Sequence, residues 1–457
     1  MFASLLKRTV IVSSLLLMIP SSLLSETLKQ ALENAYNNSN ELKIQRALIR
    51  KTNEEVASGV ARKRAKVSIN PSVSSGYSFS SSCLGFCNSS TANINLKAEA
   101  SILDSGRAKL RISKAKESVE LQRLSYSLIE QNVLLEALKA FVDLRRNMEF
   151  LALERNSVTI LEKEVQAAQD RFDVGEITKT DISFAEARLE AAKGKLSNQE
   201  GLLKIAKEQY LIAVGEQPIN LVAPTRLPEI PETLSIAKDQ AAKSHPTILS
   251  LKLKSKMSDL DLELARANYN PQIGFSGSIS DSSASGKLSS SLSLVGEVVL
   301  YNGGLRSSAE RSAIASVEGV RIELLHNTRK ILQGVANRWV QLSIARALIS
   351  ANEKQIRAAE TAYRGVQDEA EFGLRTTLDI LDAEQSLMSA KVQLASTKRD
   401  EYVAAYELLK AMGLLTAQNL NLNVKQYDIT KNYDAVKNAP RNNQFFKLDN
   451  LLKRWGQ

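Results

Sequence analysis

The sequence predicts a chain that is mainly α with a membrane β-barrel portion and that is internally duplicated. Three observations carry this expectation. The stretch AEFGLRTTLDILDAEQSLMSA, Ala370 to Ala390, has a partner in RFDVGEITKTDISFAEARLEAA, Arg171 to Ala192, and setting Gly373 over Gly175 gives an offset of 198 residues. That offset also aligns Thr376 with Thr178, Asp379 with Asp181, Gly304 with Gly106 and Gly413 with Gly215. Ahead of the duplicated stretches lie two long tracts without proline, 107–174 and 305–372, with apolar residues returning at helical spacing. Ahead of those tracts, two Ser-rich segments switch to a period of two.

The chain of 457 residues carries 60 Lys and Arg against 50 Asp and Glu, with nine prolines and few aromatics, as suits a helix-rich protein without large aromatic cores. The cations are spread along the helices in company with acids. No basic block interleaved with aromatics occurs, so no nucleic-acid partner is expected. Lys7 and Arg8 precede an apolar run from Val10 to Ile19, then Pro20 and small residues. This reads as a signal peptide over residues 1–25, although Leu23 occupies a place where a small residue is preferred. No Cys follows the cleavage point, which argues against a lipid anchor there. The two cysteines, Cys83 and Cys87, are separated by three residues, and in an exported chain they predict a small disulfide loop. A zinc site would need further ligands, and His245 and His326 are far off in sequence.

The first repeat is expected over 26–215 and the second over 235–413, with a Pro-rich connector at 216–234 and a polar tail at 414–457. From Thr27 to Lys66 the apolar spacing predicts helix. A hairpin is expected at 67–104: Val67, Ile69, Val73, Tyr77 and Phe79 alternate with Ser and Asn, and after the Cys loop Ile94, Leu96, Ala98 and Ile102 do the same. A second is expected at 271–302, where Ile273, Phe275 and Ile279, then Leu288, Leu292, Leu294, Val298 and Leu300, alternate with Ser. A soluble β-sandwich also alternates, but its core needs bulkier inward residues, so lipid on one face and water on the other fits better. Four strands cannot close a membrane barrel, and an open edge in lipid strands backbone groups at several kcal/mol each. The barrel must therefore be shared between subunits; four strands from each of three chains would give about twelve. Each hairpin leads into a long helix of roughly 100 Å at ~1.5 Å per residue, too long and too charged to lie in lipid. Both rods end at the duplicated turn and return as helices, near 178–214 and 376–412, each stopped by a glycine. The tail is expected to lie against the helices or to be partly disordered.

Thr178 with Asp181, and Thr376 with Asp379, are Thr-x-x-Asp helix starts, which capping explains. Capping does not explain Asp382, one turn on from Asp379, where the first repeat has Phe184, nor Arg375, where it has Ile177. If the second tip faced the axis of a symmetric assembly, Asp379 and Asp382 would form rings of carboxylates that attract cations, and Arg375 would pair with an acid on a neighbouring hairpin such as Asp181.

The duplicated turns, TLDILDAEQSL, the LYNGG at Leu300 to Gly304 with its weaker copy ILDSG, and the NP pairs at Asn70 and Asn270 resemble the TolC-type outer-membrane channels, from about Glu26 to Asn421. The wording of AYNNSNELKIQRALIR and RTTLDILDAEQSLMSAKVQLASTKRDEYVAAYELL looks closest to the type I secretion branch. The resemblance implies a homotrimer with a twelve-stranded barrel in outer-membrane lipid and a tunnel of long antiparallel helices across the periplasm. It implies a closed tip that opens when an inner-membrane transporter and a periplasmic adaptor dock, the adaptor at the turns of Gly175 and Gly373. Asp379 and Asp382 match the family's aperture carboxylates; Arg375 and Asp181 match positions that restrain the aperture. Ala370 stands where some relatives place a lock-forming Tyr, which implies fewer closing bonds here. No cofactor, no metal and no enzymatic activity are expected, since no phosphate loop, Ser/His/Asp set or metal-spaced His cluster occurs. A periplasmic adaptor or coiled-coil scaffold would not need four membrane-type strands. Whether the cargo is a polypeptide or a small molecule is not legible in the residues.

Overall fold

The computed structural model of the chain describes residues 26–80, 85–224, 226–283 and 287–438. The expected signal peptide, Cys83 and the end of the tail lie outside the described residues. The elements run α1 (Leu28–Asn38), α2 (Asn40–Ala61), β1 (Lys66–Ser80), β2 (Gly85–Leu103), α3 (Arg107–Asp173), α4 (Lys179–Val214), α5 (Leu234–Ser244), α6 (Pro246–Ala267), β3 (Gln272–Ser282), β4 (Lys287–Glu297), α7 (Leu305–Glu371), α8 (Thr377–Ala411) and α9 (Ile429–Val436). The two halves repeat one plan: a broken helix, a hairpin, a long helix, a turn and a returning helix.

The rods α3 and α7 have 67 residues each and start just after Gly106 and Gly304, both left-handed with φ of 80° and 86°. At ~1.5 Å per residue each spans roughly 100 Å. Helices α2 and α4 lie along α3, and α6 and α8 along α7, so each rod is backed by two shorter helices.

The apolar spacing from Thr27 to Lys66 suggested continuous helix, and here the chain differs. It makes two helices broken at Ser39 (ψ 120°), whose side chain caps α2 by accepting from the Leu42 N–H at 3.3 Å, and helix ends at Ala61. The reason is tertiary. α4 ends in Gly215 against this break, so close that a Cβ on Gly215 would lie 2.6 Å from the Asn38 Cβ, and Asn38 Nδ2 donates to the Val214 carbonyl at 3.3 Å. The second repeat does the same at His245 and Pro246: Ser244 Oγ donates to the Met412 carbonyl at 3.1 Å beside Gly413. Helix ends leave carbonyls without intrahelical partners, and the breaks bring up donors for them.

The strands form one antiparallel sheet in the order β1-β2-β3-β4, with both outer strands unpaired on one side within the chain. Ile69, Leu96 and Ile279 are in register, as are Phe275 and Leu294. β4 stops at Glu297, short of the expected 302, so Val298 and Leu300 lie beyond it. There Arg306 donates to the Val299 carbonyl at 2.6 Å, which takes that group out of strand pairing.

The core sits where α1, the middle of α3 and the ends of α4 and α8 converge, around Leu32, Leu138, Phe141, Tyr210 and Leu408. Each such side chain stabilises the fold by roughly 1.5–3 kcal/mol on burial. The connector is tied to it by a parallel bridge from Glu26 to Leu221 and by the Tyr402 hydroxyl, which donates to the Pro224 carbonyl at 2.5 Å. The described part of the tail lies against the helices: Glu130 accepts from the Ala417 N–H at 2.7 Å, and α9 rests on α2, where Asn53 donates to Asn432 at 2.9 Å.

Candidate functional site

Because strand side chains alternate between faces, the register sorts the sheet into two surfaces. One is a bank of small polar groups. Hydroxyl pairs cross it at Ser74 and Thr91 (2.7 Å), Ser276 and Ser293 (2.7 Å), Ser278 and Ser291 (2.8 Å), and Ser280 and Ser289 (2.6 Å). Charge on this face gathers at the helical end, where Lys97 pairs with Glu99. The opposite surface is apolar and uncovered: Ile69 is 66%, Val73 79% and Leu292 76% exposed. An apolar patch this continuous calls for an apolar medium or a partner, and lipid on that face leaves water on the hydroxyl face.

The second site is the pair of turns at the far end of the rods. In each, a left-handed glycine ends the rod: Gly175 (φ 80°) donates to the Phe172 carbonyl and Gly373 (φ 72°) to the Ala370 carbonyl. Nothing stands within 4 Å of where a Cβ would sit on either, so the backbone angle alone calls for glycine. The next helices open with capping boxes. Thr178 donates from N and Oγ1 to Asp181 at 2.9 and 2.8 Å, and Thr376 does the same to Asp379. These donors hold both carboxyls below their usual range. Exposed apolar side chains crown the turns: Val174, Phe372 and Leu374.

The structure places the remaining charges differently from one another. Asp382 accepts from Arg188 of the first hairpin at 2.8 Å. Arg375 donates to Glu369 of its own rod at 2.6 Å, while Asp181 is engaged by Thr178; within one chain Arg375 and Asp181 are not brought together. Two residues beyond Asp382, Glu384 is buried and accepts from Ser157 Oγ of α3 at 2.9 Å, and burial pushes its carboxyl up. Leu381 packs into the first hairpin's own apolar cluster with Val158, Leu161, Ile182, Ala185 and Leu189. The lower ends of the two hairpins are therefore joined by one apolar contact zone flanked by Arg188–Asp382 and Ser157–Glu384. Cys87 stands on β2 opposite Ser78, and its expected partner Cys83 is outside the described residues. Among the described residues no group of His, Cys, Asp and Glu is placed to hold a metal ion.

Arg188, Glu369 and the burial of Glu384 were not anticipated. For Arg188 a signal existed: at the 198-residue offset Phe184 faces Asp382 and Arg188 faces Ser386, so the repeats differ twice within one turn, in complementary charge. Glu384 gave no signal, because Glu186 matches it and is exposed.

The family described as outer membrane efflux protein matches residues 30–216 and 237–414. The chain is 31% identical over 421 residues to the outer membrane efflux protein BepC of Brucella suis biovar 1, covering 91% of each. It is 25% identical over 306 residues to the alkaline protease secretion protein AprF of Pseudomonas aeruginosa, covering 64% of this chain and 63% of that one. The crystal structure of the Campylobacter jejuni CmeC outer membrane channel superposes with a TM-score of 0.74 at 13% identity, covering 91% of this chain and 90% of that one.

Proposed function

The chain belongs to the outer membrane efflux protein family, and from that premise we propose that three copies build the passive exit duct of a tripartite export system. The single observation that carries the reading is the sheet: a hydroxyl bank on one face, an apolar bank on the other, and an unpaired edge at β1 and at β4. An open edge in lipid is untenable, so β4 of one copy pairs with β1 of the next and three copies close about twelve strands. The helices have surfaces to match. One chain leaves Ile322, Leu325 and Ile344 exposed on α7, and Ile44, Ile205 and Ile212 on α2 and α4. The repeats divide at the connector 216–234, with the leader 1–25 removed on export.

At the far end, Asp379 and Asp382 ring the aperture, and Arg375 and Asp181 restrain it across subunits. The turns of Gly175 and Gly373, with their exposed apolar crowns, receive the periplasmic adaptor, and the inner-membrane transporter supplies the cargo. We assign the cargo to polypeptides exported by type I secretion. AprF, named for protease secretion, supports this. A second reading, small-molecule efflux, draws on BepC, named an efflux protein. Deleting the gene and measuring both the secreted proteome and sensitivity to toxic compounds separates them. Loss of one or more secreted proteins with unchanged sensitivity supports the first; increased sensitivity with an unchanged secretome overturns it.

A further inference from the structure

The base of the first hairpin carries unbalanced positive charge just beneath the sheet. No acidic residue lies between Glu55 and Glu99, where Arg62, Lys63, Arg64, Lys66 and Lys97 fall, nor between Asp104 and Glu117, where Arg107, Lys109, Arg111, Lys114 and Lys116 fall. The fold brings the two stretches side by side: a Cβ on Gly59 of α2 would meet Ile112 of α3 at 3.2 Å. Some of these cations are committed. Arg107 is buried and donates to the Asn270 and Pro271 carbonyls, Lys114 pairs with Asp261 at 2.6 Å, and Lys97 pairs with Glu99 on the hydroxyl face. Arg62, Lys63, Lys109, Arg111 and Lys116 are exposed and make no ion pair among the described residues. Lys109 and Lys116 share a face of α3 with Arg123, seven residues apart in each step, and Arg123 lies 5.4 Å from the Tyr433 ring of the tail helix. The second hairpin's base lacks this surplus. Arg266 pairs with Glu310 at 3.0 Å, and Arg306 is held by the Val299 carbonyl and the Tyr269 ring.

We propose that this basic collar binds anionic phospholipid headgroups in the periplasmic leaflet of the outer membrane. The collar continues the apolar face. Ile102 and Leu103, 63% and 44% exposed, end β2, and Lys109 follows within roughly 10 Å along the chain, about one Debye length. A phosphate at the level where the hydrocarbon ends meets these ammonium and guanidinium groups, and clusters of four or more such cations favour anionic over zwitterionic lipid. Peptidoglycan is also anionic, but it would not require the cations to crowd against the membrane edge of the sheet. The inference rests on the outer-membrane placement and is independent of the cargo and the aperture.

The test uses the full assembled protein in vesicles of phosphatidylethanolamine with a minority of phosphatidylglycerol, with each lipid spin-labelled in turn to measure its fraction immobilised on the protein. The wild type is expected to hold phosphatidylglycerol several-fold over phosphatidylethanolamine, and both K63Q/K109Q/K116Q and high salt are expected to bring the ratio close to one. Single K109Q guards against misfolding of the triple variant and is expected to give a ratio between those of the wild type and the triple variant. A wild-type ratio near one, or a ratio unchanged in the triple variant, overturns the proposal. So does a second outcome: sedimentation with purified peptidoglycan that the triple substitution abolishes while the lipid ratio stays put. Failure to insert into vesicles at all would instead refute the outer-membrane reading.

Discussion

Replacing Gly413 with Ala tests whether the break in α5–α6 and the end of α8 form one joint. Gly413 has φ +76°, and an L side chain there costs about 1–2 kcal/mol in backbone energy alone. The added Cβ would also lie 2.7 Å from His245 Cα, 2.8 Å from Pro246 Cδ and 3.0 Å from the Ser244 carbonyl oxygen. None of these atoms is the free end of a side chain, so the corner itself must move, and overpacking of that kind costs about 1–3 kcal/mol more. The joint should lose roughly 2–5 kcal/mol, together with the Ser244 to Met412 hydrogen bond. Gly373→Ala is the control: φ is +72° but nothing stands within 4 Å, so only the backbone cost of about 1–2 kcal/mol applies, at a tip remote from the core. Urea unfolding of the helical part, followed by circular dichroism in detergent, compares the two. Equal losses, or a larger loss at Gly373, would refute the reasoning that the joint is a backbone-to-backbone contact.

Further outcomes follow from the seam and the ends of the chain. Burial raises the Glu384 carboxyl above its unfolded value, so the folded state binds the extra proton and stability falls as pH rises from the unfolded value of 4.5 through the raised one; Glu384→Gln should flatten that part of the melting profile against pH, and an unaltered slope would count against a buried acid there. Cys83 and Cys87 are expected to form a disulfide at the outer tip of the first hairpin, so thiol labelling of intact cells without reductant should leave both unreacted, and labelling of either sinks the idea. The folded protein should have the mass of a trimer in detergent; a discrete folded monomer would contradict the argument from four strands.

Most of the fold was legible because its signals are periodic. The 3.6 period over 107–173 and 305–371, the period of two in the hairpins, and the 198-residue offset each depend on the sequence alone. The breaks carry local signals that apolar spacing alone passes over, Asn38 and Ser39 as a turn and cap and Pro246 as a first helical residue; what no local signal shows is that Gly215 and Gly413, some 170 residues away, pack against them. β4 ended early because its partner β3 begins at Gln272, which pairs with Glu297, so nothing within the chain pairs the residues beyond. At the tips, sequence located Asp382 and Arg375 as the charges the first repeat lacks, and Asp379 as the copy of Asp181. It did not reveal that Asp382 meets Arg188, since matching the repeats compares each residue with its copy and not with its neighbour across the seam.

We propose that the second tip's charges serve the pore and not the fold. The structure bounds the alternative: the Asp379 cap is worth about 1 kcal/mol, and the Arg188–Asp382 pair, both sides about half exposed, about 0–1 kcal/mol. Assembly should therefore survive Asp379→Ala with Asp382→Ala, while Arg375→Ala should increase leakage. Planar-bilayer recording of the double variant is the direct measurement. Altered single-channel conductance and weakened block by multivalent cations are expected; unchanged conductance together with unchanged block would show that these carboxylates do no more than cap and pair.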